Sequence, residues 1–309
     1  MKLMHCAIVV AAVGISGCSI LAPQADVHEP EDVSEPKVTV KVPEPPRLPP
    51  ISIVLTSSRP DYADVARELT GRFDNYEIYD LDNDDRPPVT ILRLINDSDS
   101  TAVVAIGLRA AQSSVAMSTN PVVFSQVFNY QDHDLLTDNS RGVAAIAPLA
   151  AQIAAWKKID PSITRIGAVI GEGHEDLITE AELAAQQHGL ELRLHVTTSD
   201  RETLYVFKRM IRNIDGFWLF PDNRILSRNA LQQIVAEANR RHVPILVPRE
   251  WMLQMGASIS VSTVASDIAR TITDVIRQIQ AGKLAQVPPI SPLSEILVKT
   301  KDSLRVVQR

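Results

Sequence analysis

The stretch DGFWLFPDNRILSRNALQQIVAEANRRHVPILVPREWMLQMGASISVSTVASDIARTITDVIRQIQAG, residues 215–282, alternates short apolar runs with amphipathic ones. DGFWLF (215–220) reads as a strand and SRNALQQIVAEANRR (227–241) as a helix with Ser227 as its N-cap. VPILVP (243–248) and ASISVS (257–262) read as strands. SDIARTITDVIRQIQAG (266–282) reads as a long helix opened by Ser266 and closed by Gly282. Strand and helix in alternation give a parallel sheet with helices on both faces. Phe217, Trp218 and Phe220 lie in the first of these strands and are expected in the core.

The same rhythm runs back to Ile51. ISIVLT (51–56), YEIYDL (76–81), TAVVAIG (101–107) and PVVFSQV (121–127) are predicted strands. Between them DYADVARELTGRF (61–73), PPVTILRLIND (87–97) and LRAAQSSVAMS (108–118) have helical spacing. RGVAAI (141–146) fits a strand or a loop. PLAAQIAAWKKI (148–159), EDLITEAELAAQQHG (175–189) and TLYVFKRMIRN (203–213) are helical, and TRIGAVIG (164–171), LELRLHV (190–196), EILVK (295–299) and LRVVQ (304–308) are strands. Two such sets predict an α/β fold of two doubly wound parallel-sheet lobes joined by a hinge. In such folds ligands bind beyond the carboxyl ends of the strands, here in a cleft between lobes.

The 309 residues suit two domains at about 150 residues each. A formal net charge of −6, from 31 basic and 37 acidic side chains, excludes a bulk electrostatic grip on nucleic acid. The two cysteines, Cys6 and Cys18, both precede residue 20. The remaining chain therefore has no thiol nucleophile, disulfide or thiolate metal site.

Those first residues read as an address. Lys2 precedes an uncharged apolar run from Cys6 to Ile15, too short to span a bilayer and fitting a signal peptide over residues 1–17. Ile15-Ser16-Gly17-Cys18 resembles a bacterial lipobox, which implies lipidation of Cys18 with diacylglycerol and a palmitate-type acyl group, so that the mature chain is anchored to a membrane rather than spanning it. Ser19 follows the cysteine where Asp would retain a lipoprotein at the inner membrane. The expected place is the cell envelope, facing the periplasm, on the outer membrane in a diderm cell. From Cys18 to Pro50 the chain is rich in proline, including Pro23, Pro30, Pro36, Pro43, Pro45, Pro46, Pro49 and Pro50. Proline disfavours regular helix and favours extended chain, which makes this stretch a tether.

The 215–282 stretch resembles the C-terminal half of the ABC-transporter substrate-binding proteins of tryptophan/tyrosine type. The shared features are the strand ending in Pro-Asp, the strand around Pro244, a Gly-Ala-strand-Ser segment, and the helix ending in Ala-Gly. TRIGAVIG and PVVFSQVF fit the same pattern, and the resemblance runs from about Ile51 to the C-terminus. After Phe124 the chain reads QVFNYQDHDLLTDNSRG in place of a Gly-rich loop. The resemblance implies a type I periplasmic-binding fold. One lobe is expected from 51–128 plus about 262–286, the other from 129–261 plus about 287–309.

Loops at strand ends would line the cleft: Ser57, Ser58 and Arg59; Gly107 and Arg109; Ser125, Gln126 and Asn129; Asp222 and Asn223; Arg249, Glu250 and Trp251. Hydroxyls and helix N-termini can hold a carboxylate, Asp222 or Glu250 an ammonium group, and Trp251 or Phe128 can form an apolar wall. The same residues are also ordinary turn chemistry. Asp80, Asp82, Asp84 and Asp85 lack the glycine and glutamate of a calcium loop, and Asp132-His133-Asp134 are adjacent loop residues rather than converging ligands. No Walker, GxSxG or HExxH pattern occurs, so no enzyme, cofactor or metal is expected. Two functions remain open. One is a lipid-anchored solute-binding protein that delivers a small, amino-acid-like ligand to an ABC permease. The other is an envelope lipoprotein whose binding fold engages or regulates a protein partner, without transport.

Overall fold

A computed structural model describes residues 49–300 and the backbone of 306–308. The expected signal peptide (1–17), the lipidated Cys18 and all of the tether but Pro49 and Pro50 lie outside the described residues. No described helix is long and apolar enough to cross a membrane.

Through residue 143 the chain runs β1 (Ile51–Leu55), α1 (Pro60–Thr70), β2 (Tyr76–Asp80), α2 (Pro88–Asn96), β3 (Val103–Ile106), α3 (Leu108–Met117), β4 (Val122–Ser125) and β5 (Ser140–Val143). It continues with α4 (Leu149–Ile159), β6 (Arg165–Ile170), α5 (Glu175–Gln187), β7 (Glu191–Val196), α6 (Asp200–Met210), β8 (Gly216–Leu219), α7 (Arg228–Arg240), β9 (Ile245–Val247) and β10 (Ile259–Thr263). The last part is α8 (Ala265–Gln280), β11 (Ile290–Ser291), β12 (Ile296–Thr300) and β13 (Val306–Gln308).

These strands form two sheets, ordered β11-β5-β4-β3-β1-β2 and β13-β12-β10-β9-β8-β6-β7. The first is parallel throughout; in the second only the β10–β12 and β12–β13 pairs are antiparallel. Each sheet is covered on both faces. On the first, α1 and α8 cover one side with Val65, Leu69, Ile268, Ile272 and Ile276, and α2 and α3 cover the other with Ile91, Ile95 and Ala111. On the second, α4 and α5 pack Trp156 and Ala184 against one face, and α6 and α7 pack Phe207 and Ile234 against the other. Two doubly wound lobes result, as the strand–helix rhythm predicts.

Trp218 and Phe217 are fully buried and Phe220 nearly so. Burial of an aromatic ring this large contributes about 1.5–3 kcal/mol. Trp218 also satisfies its indole N–H, which donates to Oε1 of buried Gln152 at 2.8 Å.

The chain crosses between lobes three times, over 144–148, at 264 and over 292–295. This moves two expected boundaries. Residues 129–143 stay with the first lobe, because β5 pairs with β4 in its sheet. Residues 290–291 return to it, because β11 pairs with β5. The expected division at 128 and 287 rests on the family resemblance; the hydrogen-bonded edge lies further along in both places. Asp267, buried in the first turn of α8, holds the third crossing. Its Oδ2 accepts from the backbone N–H groups of Ser294 and Glu295, both at 2.8 Å.

Local capping also differs from expectation at two helices. α6 begins at Asp200 rather than Thr203, because the Ser199 hydroxyl accepts from the Glu202 N–H at 3.3 Å. Ser266 is not the cap of α8; Val264 holds that position and no side chain caps it. Ser227 does cap α7, accepting from the Ala230 N–H at 3.1 Å.

Candidate functional site

A cavity of about 300 Å³ lies between the lobes at the carboxyl ends of their strands. Its first-lobe wall comes from the turns after β1, β3 and β4, and its second-lobe wall from those after β8 and β9. Among the expected residues, Arg59, Gln126, Asn129, Asn223, Arg249 and Trp251 line it, with Phe128 beside them.

The charge here is concentrated on Arg249. Its side chain keeps 19% exposure at the cavity wall while atoms of both lobes strip most of its solvent. Burial pushes the guanidinium below its ordinary pKa, Arg59 adds to that, and Asp61 and Tyr62 oppose it. Its partners are weak for a desolvated cation. Nη2 donates to the neutral Gln126 Oε1 at 2.6 Å, and Nη1 reaches Asp61 Oδ2 only at 3.5 Å. Arg59, whose guanidinium lies over the Tyr62 ring at 5.7 Å, brings a second positive charge to the same cavity. An anionic group placed here completes an unfinished ion pairing.

Gln126 reaches Arg249 from a left-handed backbone, φ +61°, although it is not glycine. Such a conformation costs a residue with a Cβ about 1–2 kcal/mol. It is held where the β4 end meets the opposite lobe, the kind of place where strain accompanies function.

Beside the cavity the lobes are joined by a buried polar cluster. Asn129 Nδ2 donates to Asp222 Oδ1 at 3.1 Å and to Asn223 Oδ1 at 3.0 Å. Its Oδ1 lies 3.0 Å from His174 Nε2. With the amide nitrogen donating, Oδ1 is the acceptor, which places a proton on Nε2. Asp222 is fully buried and also accepts from the Gly171 N–H at 3.0 Å and from Arg224 Nη2 at 2.7 Å. Burial raises its pKa, but the nearby His174 ring, whose Nε2 lies 3.6 Å from Oδ2, and the hydrogen bonds from Arg224 outweigh this and hold the carboxyl well below its ordinary value. Gly171 has no side chain to spare: a Cβ there would press into the Asp222 carboxylate and the Arg224 guanidinium. Arg224 then bridges to Asp132 of the first lobe at 2.8 Å.

The other expected residues stand elsewhere. Asp222 is not free to hold an ammonium group, because every direction around its carboxylate is already taken by protein donors. Glu250 turns outward and pairs with Lys299. Arg109 pairs with Asp82 at 2.8 Å on the surface. Ser58 donates to Asp80. Ser57 and Ser125 are buried off the cavity, and Gly107 serves as the N-cap of α3 with φ +87°. The carboxylate that does line the cavity is Asp61, in the first turn of α1, together with Tyr62, Leu108, His133 and Pro221. A reading confined to loops passes over Asp61 and Tyr62 because they already belong to a helix. The usable signal was position: the first turn of a helix after a sheet strand points into the same crevice.

Residues 71–298, well over half the chain, match the family model described as ABC transporter substrate binding protein. Curated proteins give no match. Among solved structures, the chain is similar to an ABC domain from Streptococcus pneumonia in complex with L-Trp, at 20% identity and a TM-score of 0.55, over 80% of this chain and 90% of that one. It is similar to a ligand-free, open substrate binding protein with adhesive properties from Clostridium difficile, at 13% identity and a TM-score of 0.61, over 82% and 92%. A conserved domain protein from Vibrio cholerae aligns at 18% identity and a TM-score of 0.53, over 81% and 91%. At these identities the likeness is one of fold, that of type I periplasmic-binding proteins.

Proposed function

The chain belongs to the ABC transporter substrate-binding protein family, a family of non-enzymatic binding proteins, and from that premise we propose that it is a lipid-anchored, extracytoplasmic receptor delivering a small amino-acid-like carboxylate to an ABC permease. The observation that carries the ligand class is Arg249, a desolvated cation at the wall of a 300 Å³ interlobe cavity, paired only with an amide and a distant carboxylate. A ligand carboxylate fits between Arg249 and Arg59. Asp61 offers its ammonium group a counter-charge, and Tyr62, Phe128 and Trp251 offer its side chain an apolar wall.

Closure supplies the coupling to transport. The ligand touches both lobes, so it favours whichever arrangement brings Arg249 and Arg59 together, by as much as its affinity differs between arrangements. The lipobox-like Ile15-Ser16-Gly17-Cys18 and the proline-rich stretch after it support anchoring to a cell-envelope membrane, facing the periplasm, with the binding body held off the surface.

Native mass spectrometry of the purified protein tests the ligand assignment. The expected result is a retained small carboxylate that exchanges with added amino acid. Failure of every L-amino acid and simple carboxylate to bind or to raise the melting temperature would overturn it. For the anchor, palmitate labelling in the source cell is expected to vanish in Cys18→Ser; labelling that survives the substitution refutes it.

A further inference from the structure

A second cavity, of about 310 Å³, opens on the hinge side of the molecule. It is separated from the cleft by a partition in which the Phe128 ring lies 4.8 Å from the His174 imidazole. Its walls come from both lobes and from the crossings between them: Phe128 and Ile290 of the first lobe, Leu149 and Leu177 of the second, Ile146 and Leu293 from the crossings.

Its charge is the reverse of the cleft's. No lysine or arginine lines it. Asp176 and Glu180, one turn apart on α5, stand at its exposed rim, and the Tyr130 phenol faces the same space. Among the described residues, neither carboxylate nor the phenol hydroxyl makes a side-chain hydrogen bond or an ion pair. Burial, with the Asp176 charge adding to it, raises the Tyr130 pKa. The apolar interior asks for a hydrocarbon or aromatic body, and the acidic rim asks for one positive charge on its end.

We propose that this hinge-side cavity is a second binding site, distinct from the cleft, for a monocationic amine carrying an apolar body. The amine nitrogen sits between Asp176 and Glu180, where charge-assisted hydrogen bonds replace its lost hydration. The apolar body fills the space walled by Phe128, Leu149, Leu177 and Leu293. The site stands on its own residues and does not depend on the cleft binding a carboxylate.

Phenethylamine is the probe, with hydrocinnamate as its anionic counterpart, each titrated into the purified protein and followed by calorimetry and ligand-observed NMR. Saturable binding of the amine is expected, with none of the anion at this site. Asp176→Asn with Glu180→Gln should weaken amine binding about tenfold or more. Both positions are exposed, so the pair leaves the fold intact and the melting temperature serves as its control. Hydrocinnamate bound in the cleft should not displace the amine. Absence of saturable amine binding, or an affinity indifferent to the acid-pair substitution, would overturn the proposal. So would displacement of the amine by hydrocinnamate, which would place both in the cleft.

Discussion

Arg249, just after β9 in the second lobe, donates from Nη2 to Oε1 of Gln126, just after β4 in the first, across 2.6 Å. This contact joins a desolvated charge to a strained backbone and ties the lobes together beside the cavity. Neither residue is explained by the packing of its own lobe.

Arg249→Met keeps an unbranched apolar stem and removes the charge. Affinity for a carboxylate ligand is expected to fall about 10–100-fold, the range for a charge-assisted hydrogen bond. Calorimetric titration of wild type and variant measures it. Undiminished affinity would move the anion site away from Arg249.

Gln126 can be separated into backbone and side chain. Gln126→Ala loses the bond to Arg249 and keeps the left-handed strain, whereas Gln126→Gly loses the same bond and relieves it. The glycine variant is expected to be more stable than the alanine variant by about 1 kcal/mol. Denaturant midpoints for the two decide the matter, and the reverse order would show that φ at this position is not strained.

Asp222 gives the interlobe cluster a pH dependence of known sign. Its folded pKa is depressed, so its contribution to stability is whole above the ordinary aspartate value, about 4. That contribution is lost as pH falls below this value toward the folded one. Asp222→Asn is expected to be less stable at neutral pH and to show a flatter decline in melting temperature under acid. Parallel acid profiles for the two proteins would contradict this.

Asp267 fixes the third crossing through two backbone N–H groups. Asp267→Ala is expected to cost about 1–3 kcal/mol. It should also raise hydrogen exchange at Ser294 and Glu295 before that of the sheets. Uniform exchange at those amides in both proteins would remove Asp267 from the hinge.

Much of this molecule is legible in its sequence, because apolar periodicity reports burial and little else. The runs at 51–56, 101–107 and 215–220 are mostly apolar without a period-2 alternation of charge, and all become central, doubly covered strands. The two-residue strand β11 carries too few residues to show a period, so nothing in the sequence pattern assigns 290–291 to the first lobe. In the cleft, loop position picks out Arg59, Gln126 and Arg249, which line the cavity. It cannot tell which acidic side chain faces the cavity. Asp222 and Asp61 look alike in sequence, and only the converging Gly171, Asn129 and Arg224 donors show that the first is already occupied.

The threefold lacing of the chain also sets an order of assembly. α8 and β11, which complete the first lobe, are separated from β5 in sequence by nearly the entire second lobe. Until Ile268, Ile272 and Ile276 emerge, α1 faces a half-built core with Val65 and Leu69 uncovered. The half made first by the ribosome therefore stays incomplete until most of the other half has been made. A nascent chain halted anywhere before residue 265 exposes a greasy flank that only its own distant end can cover.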